Sequence, residues 1–160
     1  MDVAIGAAAG ALGTYLMDQA TTAFYEREPE GVQKRENAAR GEKTAYESAA
    51  EKAAQLAGLE LNDEDRKAVG QAIHWSLGIT AGVAYGALRH ALPRAPIGSG
   101  LAFGALFWLA MDEGALTLLG LTPPPKEFPW QTHARGLVGH LVLGMVLEGT
   151  VAGSSLLVPR

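Results

Sequence analysis

The chain has 160 residues, enough for one domain with its own core, and a formal net charge of −4, which is too small and of the wrong sign for a nucleic-acid partner. It has no cysteine, which excludes disulfides, thiolate zinc sites and cysteine nucleophiles. Charged residues are only 19% of the chain and most fall between Glu26 and Lys67, so the remainder reads as long uncharged runs although the mean hydropathy is only +0.08.

In chain order, residues 3–24, 68–92, 97–120 and 134–157 are each near the ~20 residues that a helix needs to cross ~30 Å of hydrocarbon. The pattern predicts an all-α fold, an integral membrane four-helix bundle with antiparallel neighbours, forming a single domain over 1–160. A soluble bundle rich in Ala and Gly is the plainer alternative. The first run is not read as a signal peptide, because MDVAIG has no basic start and TTAFYERE offers no small-residue cleavage site.

The polar loop, 25–67, is expected to contain a helix of its own over 42–56. Ala45, Ala49, Ala53 and Leu56 recur there at helical spacing and are taken as its inner face. Asn62 followed by Asp63, Glu64 and Asp65 reads as an N-cap with acids in the first turn, so the second helix starts near Asp63 and projects beyond the bilayer. Pro93-Arg94-Ala95-Pro96 predicts a short turn, and TPPPKEFPW (122–130) a stiff extended connection. Trp75, Phe128 and Trp130 are expected near one membrane face.

Glycines spaced by four occur on every predicted span: Gly6 with Gly10, Gly78 with Gly82 and Gly86, Gly100 with Gly104, and Gly149 with Gly153. Such faces let backbones approach closely in lipid, within the bundle, in a homo-oligomer or against partner membrane helices. The excess of Lys and Arg in the long loop places it in the cytoplasm by the positive-inside rule.

The stretch WLAMDEGALTLLG (108–120) sets Asp112 and Glu113 side by side in an apolar run. Counted from the helix ends, Asp18, His74, Asp112 and His140 each start roughly 9–12 Å below the same face, one residue per helix. Such a layer reads as neutral hydrogen-bonding glue, as a divalent-metal site, or as a proton site. Haem ligation through two histidines is disfavoured by the adjacent carboxylates and by glycine-tight packing. Glu113 is a second candidate acid of the site and Gln71, one turn before His74, a supporting donor. Glu148 lies deeper, as a relay toward the other face.

His74 through Tyr85, then GLTPPPKEFPW and VGHLVLGMVLEG, resemble the YagU-like inner-membrane proteins, a bacterial family of unknown function. The resemblance covers most of 70–150. It implies a multi-pass protein of the bacterial inner membrane, with the lipid bilayer as its surroundings, and no reaction. His74, His140 and Glu148 fall on positions of the same residue type, whereas Asp112 stands where the family pattern has His. It also favours a periplasmic first loop, against the charge count, so the orientation stays open.

No nucleophile motif, phosphate loop or dinucleotide fingerprint is present, and no enzyme class is read. The leading expectation is a membrane protein whose intramembrane His/carboxylate site handles protons or a divalent metal. His74, Asp112, His140, Asp18 and Glu113 are its candidate ligands. The alternative is a non-catalytic scaffold or accessory subunit whose polar layer only locks the helices.

Overall fold

A computed structural model describes residues 3–41, 43–92, 96 and 98–157, the last three by backbone alone. The described chain is helical: α1 (Val3–Tyr25), α2 (Glu30–Arg40), α3 (Ala45–Leu56), α4 (Asp63–Ala91), α5 (Ser99–Ala110), α6 (Leu116–Leu118) and α7 (Trp130–Leu157). A wide π turn, Met111–Ala115, joins α5 to α6 without a break, and a 3-10 turn, Pro125–Glu127, precedes α7. The turn expected at Pro93–Pro96 lies, apart from Pro96, outside the described residues.

The local signals act where the sequence puts them. Asn62 caps α4, its Oδ1 accepting from Asp65 N at 2.8 Å, so the helix does start at Asp63. Thr44 and Glu47 form a reciprocal capping box at α3, which starts that helix at Ala45, three residues after the expected start at 42. Gly120, at φ 66°, closes α6, with Leu121 N donating to Leu116 O and Gly120 N to Thr117 O.

Three expectations need correcting. The polar loop holds two helices, not one. Pro29 before α2 and Gly41 after it, at φ 72°, are the stop and start signals that mark α2. The inner face of α3 is rotated by one residue: Ala50 and Ala54 are buried, while Leu56 is 85% exposed. The cause is Gly70 on α4, where a Cβ would meet the backbone of Tyr46 and Glu47 at 3.0–3.2 Å, so α3 docks there by its Tyr46 edge. The fourth helix begins at Trp130, one turn before the expected start.

Glycine sets the long-helix packing. A Cβ on Gly10 would overlap Gly78 and Ile79, and one on Gly82 would overlap the backbone of Gly6 and Gly10. On the other side, Gly100 and Gly104 lie against Gly144 and His140. These contacts run α1 antiparallel to α4, and α5 antiparallel to α7. Gly13 against Leu143 and Gly139 against Thr21 run α1 antiparallel to α7 as well. Tyr85 and Phe103 meet edge to face at 5.2 Å between α4 and α5. The buried core between them is Ala9, Tyr85, Leu143, Leu147 and Val151. The expected pair Gly149 and Gly153 faces open space instead, and Gly144 takes the packing role.

Among the described residues two helical stretches are long and apolar enough to cross a membrane, Ser99–Leu118 and Trp130–Ser154. The outer faces of α1 and α4 also carry exposed large apolar side chains, Leu12, Leu16, Phe24 and Leu88 among them.

Gly10→Val is expected to force α1 and α4 apart and cost ~1–3 kcal/mol or more, as overpacking does. Gly149→Ala, in open space, should stay within ~0.5 kcal/mol of the parent. Thermal unfolding in detergent, run on both variants, checks the contrast.

Candidate functional site

The antiparallel register brings the four layer residues to one level as two pairs. His74 Nε2 and Asp18 Oδ1 are 2.9 Å apart, between α4 and α1. His140 Nδ1 and Asp112 Oδ2 are 3.7 Å apart, between α7 and the π turn. His140 Nδ1 directs its hydrogen to Gly136 O at 3.0 Å, one turn back along its own helix. His74, Asp112 and His140 share the walls of one small interior pocket of about 20 Å³ with Thr14 and Phe107.

The π turn decides where the adjacent acids point. Neighbours in an α-helix diverge by ~100°, and i→i+5 bonding narrows that angle. Leu116 N accordingly donates to Met111 O across the turn. Glu113 is thereby turned to α7, where its Oε1 lies 2.6 Å from His133 Nδ1. Gly136 lets the two elements close, since a Cβ there would meet Trp108 Nε1 at 3.0 Å and Asp112 Oδ2 at 3.4 Å.

His133 was not among the residues singled out from the sequence. One signal pointed to it: His133 and His140 are seven apart, which puts them ~20° from one another on one helix face. Its second nitrogen, Nε2, lies 3.0 Å from Pro125 O. A carbonyl only accepts, so Nε2 carries a hydrogen and donates it. With Nε2 donating, Nδ1 of the neutral ring has no hydrogen, so its contact with Glu113 Oε1 becomes a hydrogen bond when the pair takes up a proton. The Asp18 pair needs only the neutral Nε2–H tautomer of His74.

Asp18, His74, Asp112, Glu113, His133 and Trp108 border one cavity of about 640 Å³, which residues of α2 and α3 also line. Gln71 lines it too, as expected for a group one turn from His74. Tyr46 of α3 covers His74, ring centroids 4.7 Å apart. Burial first, then the carboxylates Asp112 and Asp18, push the Tyr46 phenol far up, so it stays a neutral hydroxyl. The residues expected as metal ligands fall into pairs: among the described residues no three of His, Asp and Glu converge as a metal centre requires.

Glu148 serves at the other end of the fold. Its carboxylate accepts from Gly98 N and Gly100 N at 3.1 Å, filling the N-terminus of α5 from a neighbouring helix.

Residues 46–149 match a family described as a protein of unknown function (DUF1440). The chain belongs to this family. Its matched region holds Tyr46, His74, Asp112, Glu113, His133, His140 and Glu148 and leaves Asp18 and α2 outside. This DUF1440 member is also 33% identical over 69 residues to inner membrane protein YagU of Escherichia coli (strain K12). That match covers 43% of this chain and 34% of YagU, about a third of the relative's length. No solved structure matches. The resemblance read from the sequence is therefore borne out at the level of the family.

A second polar cluster, at the loop end of α7, was not among the groups read from the sequence. Arg135 Nη1 donates to Glu28 Oε1 and Nη2 to both oxygens of Glu36, each at 2.6 Å. The guanidinium lies 4.9 Å over the Tyr25 ring. Thr132 Oγ1 donates to Glu36 Oε2 at 2.8 Å, and Arg40 also pairs with Glu36. The Glu36 side chain is fully buried. Burial alone would raise its pKa, but the hydrogen bonds from Arg135 and Thr132 and the charges of Arg135 and Arg40 outweigh it and hold the carboxyl below its ordinary value of 4.5.

Because the folded value is the lower one, Glu36 stabilises the fold above pH 4.5, and that contribution is lost as pH falls through the folded value. Arg135→Gln strands part of a buried ion pair and should cost ~3–5 kcal/mol. It should also flatten the acid limb of the stability curve, read by unfolding between neutral and acid pH.

Proposed function

We propose that this chain is a single-domain, multi-pass protein of the bacterial inner membrane, crossed by α1, α4, the continuous α5–α6 helix and α7 as an antiparallel four-helix bundle. In this reading the cavity between them handles protons. The membrane assignment is supported by the name of the YagU relative, by the two apolar stretches, and by the exposed side chains of the long helices, with Leu118 88% exposed. The charged helices α2 and α3 then lie on one membrane face, over the cavity mouth.

The observation that carries the proton reading is the Glu113–His133 pair on the cavity wall, 2.6 Å apart and placed to share a proton, with the second imidazole nitrogen on Pro125 O. Ionisable groups are costly at membrane depth and mark ion or proton paths when they face a shared cavity. The Asp18–His74 pair lies across the same space, so a proton leaving one pair finds an acceptor at the other through water in the cavity. Proton handling is preferred to a resident divalent metal because the groups stand in pairs rather than around one point.

Reconstitution into liposomes with an internal pH indicator tests this. The wild type should dissipate an imposed pH gradient faster than empty vesicles, and Glu113→Gln or His133→Ala should slow it by about a hundredfold, the scale of a lost proton-transfer group. A wild type no faster than empty vesicles, with variants that lose only thermal stability, would instead support a scaffold. Stoichiometric metal in the purified protein that vanishes in His74→Ala/His140→Ala would support the metal reading.

A further inference from the structure

Asp112 differs from the other three acids of the cavity, of which Glu47 accepts from Thr44 N at 2.7 Å. Asp18 pairs with His74 and Glu113 with His133. Among the described residues no hydrogen-bond donor reaches the Asp112 carboxylate: its nearest cationic candidate, His140, is 3.7 Å away and bonded to Gly136 O. The Asp112 side chain nevertheless keeps 29% of its surface open, toward the cavity. A carboxylate in a low-dielectric setting without a donor either takes up a proton or is stabilised by a cation that meets it.

The walls around it narrow the choice of cation. Trp108, one turn before Asp112, Tyr46 of α3 and Phe128 all line the same cavity. Aromatic side chains sharing a cavity with a carboxylate suit a positive group carried on an apolar body. The volume of about 640 Å³ lies in the range of small-molecule sites and is far larger than a bare ion needs. The basic residues on the lining, Arg40 and Lys67, belong to the α2 end and the start of α4, and Arg40 is already paired with Glu36. An anion entering the cavity would meet four acids, Asp18, Glu47, Asp112 and Glu113.

We propose that the cavity binds a small organic monocation, an amine or quaternary ammonium with an apolar body, with its charge on Asp112 and its body against Trp108 and Tyr46. This names the guest of the cavity to which the proton-handling reading assigns its chemistry, and rests on that reading for its transport role only. The bound state then supplies the positive partner that Asp112 otherwise lacks.

Benzyltrimethylammonium is the probe, chosen because its charge does not titrate. Its binding to the full-length protein in detergent is followed by calorimetry and by quenching of tryptophan fluorescence. Saturable binding is expected for the wild type. Asp112→Asn, nearly isosteric, should weaken it by about tenfold or more, and Trp108→Leu by about threefold to tenfold. The uncharged carbon isostere, neopentylbenzene, should not compete. Equal binding by Asp112→Asn, equal binding of the uncharged isostere, or no saturable binding to the wild type would each overturn the proposal. If Asp112→Asn fails to fold, the comparison of the two probes on the wild type decides alone. Proton flux without probe binding would sink this inference and leave the proton reading standing; probe binding without flux would do the reverse.

Discussion

The closeness of the helix backbones is the constraint on which everything else depends. Where Gly10 meets Gly78 and Gly82, and where Gly100 and Gly104 meet Gly144, there is no room for a Cβ. Such contact, with dispersion summed along the seam, holds the helices together. It also sets register, because a slide of one turn would drive a side chain into a backbone. With the register held, Asp18 falls opposite His74 and Asp112 opposite His140. The polar layer is thus a consequence of glycine placement on apolar faces.

Within that frame the π turn at Met111–Ala115 is the local departure that shapes the site. A regular helix would turn Glu113 away from its neighbour, whereas the wider turn directs Asp112 toward His140 and Glu113 toward His133. Gly136 accommodates the change on α7, and Pro125, in the 3-10 turn after the prolines, offers the carbonyl that orients His133. Proline loop, π turn and glycine therefore act together on one imidazole–carboxylate pair. The Arg135 cluster fastens α2 to the same end of the fold, and the docking of α3 at Gly70 brings Tyr46 over His74.

Legibility in the sequence followed the range of the interaction. Asn62 and the capping box at Thr44 bond within four residues, and their signals are complete in the local sequence. The depth count along each span placed Asp18, His74, Asp112 and His140 on one level, because helical rise is regular enough to carry across ~20 residues, while which acid meets which histidine came from the packing. Rotation about the helix axis is less forgiving. The face of α3 was misread by one residue because alanines occur on both sides of it, and Gly70 on another helix decides which side docks. Gly149 and Gly153 have the spacing of a packing face yet meet nothing, since spacing alone does not say where a neighbour lies.

By itself the sequence determined the helical class, the long uncharged runs, the caps and the level of the buried charges, all of which arise from contacts within a turn or from a fixed rise per residue. Tertiary structure alone decided that Glu113 pairs with His133, that Arg135 binds Glu28 and Glu36 from residues 107 and 99 positions away, and that Glu148 fills the start of α5. Those bonds join groups whose meeting depends on how three or more helices are rotated against one another. The π turn belongs with them. It trades regular α-helical bonding for contacts with α7, and only the packed neighbour supplies those contacts.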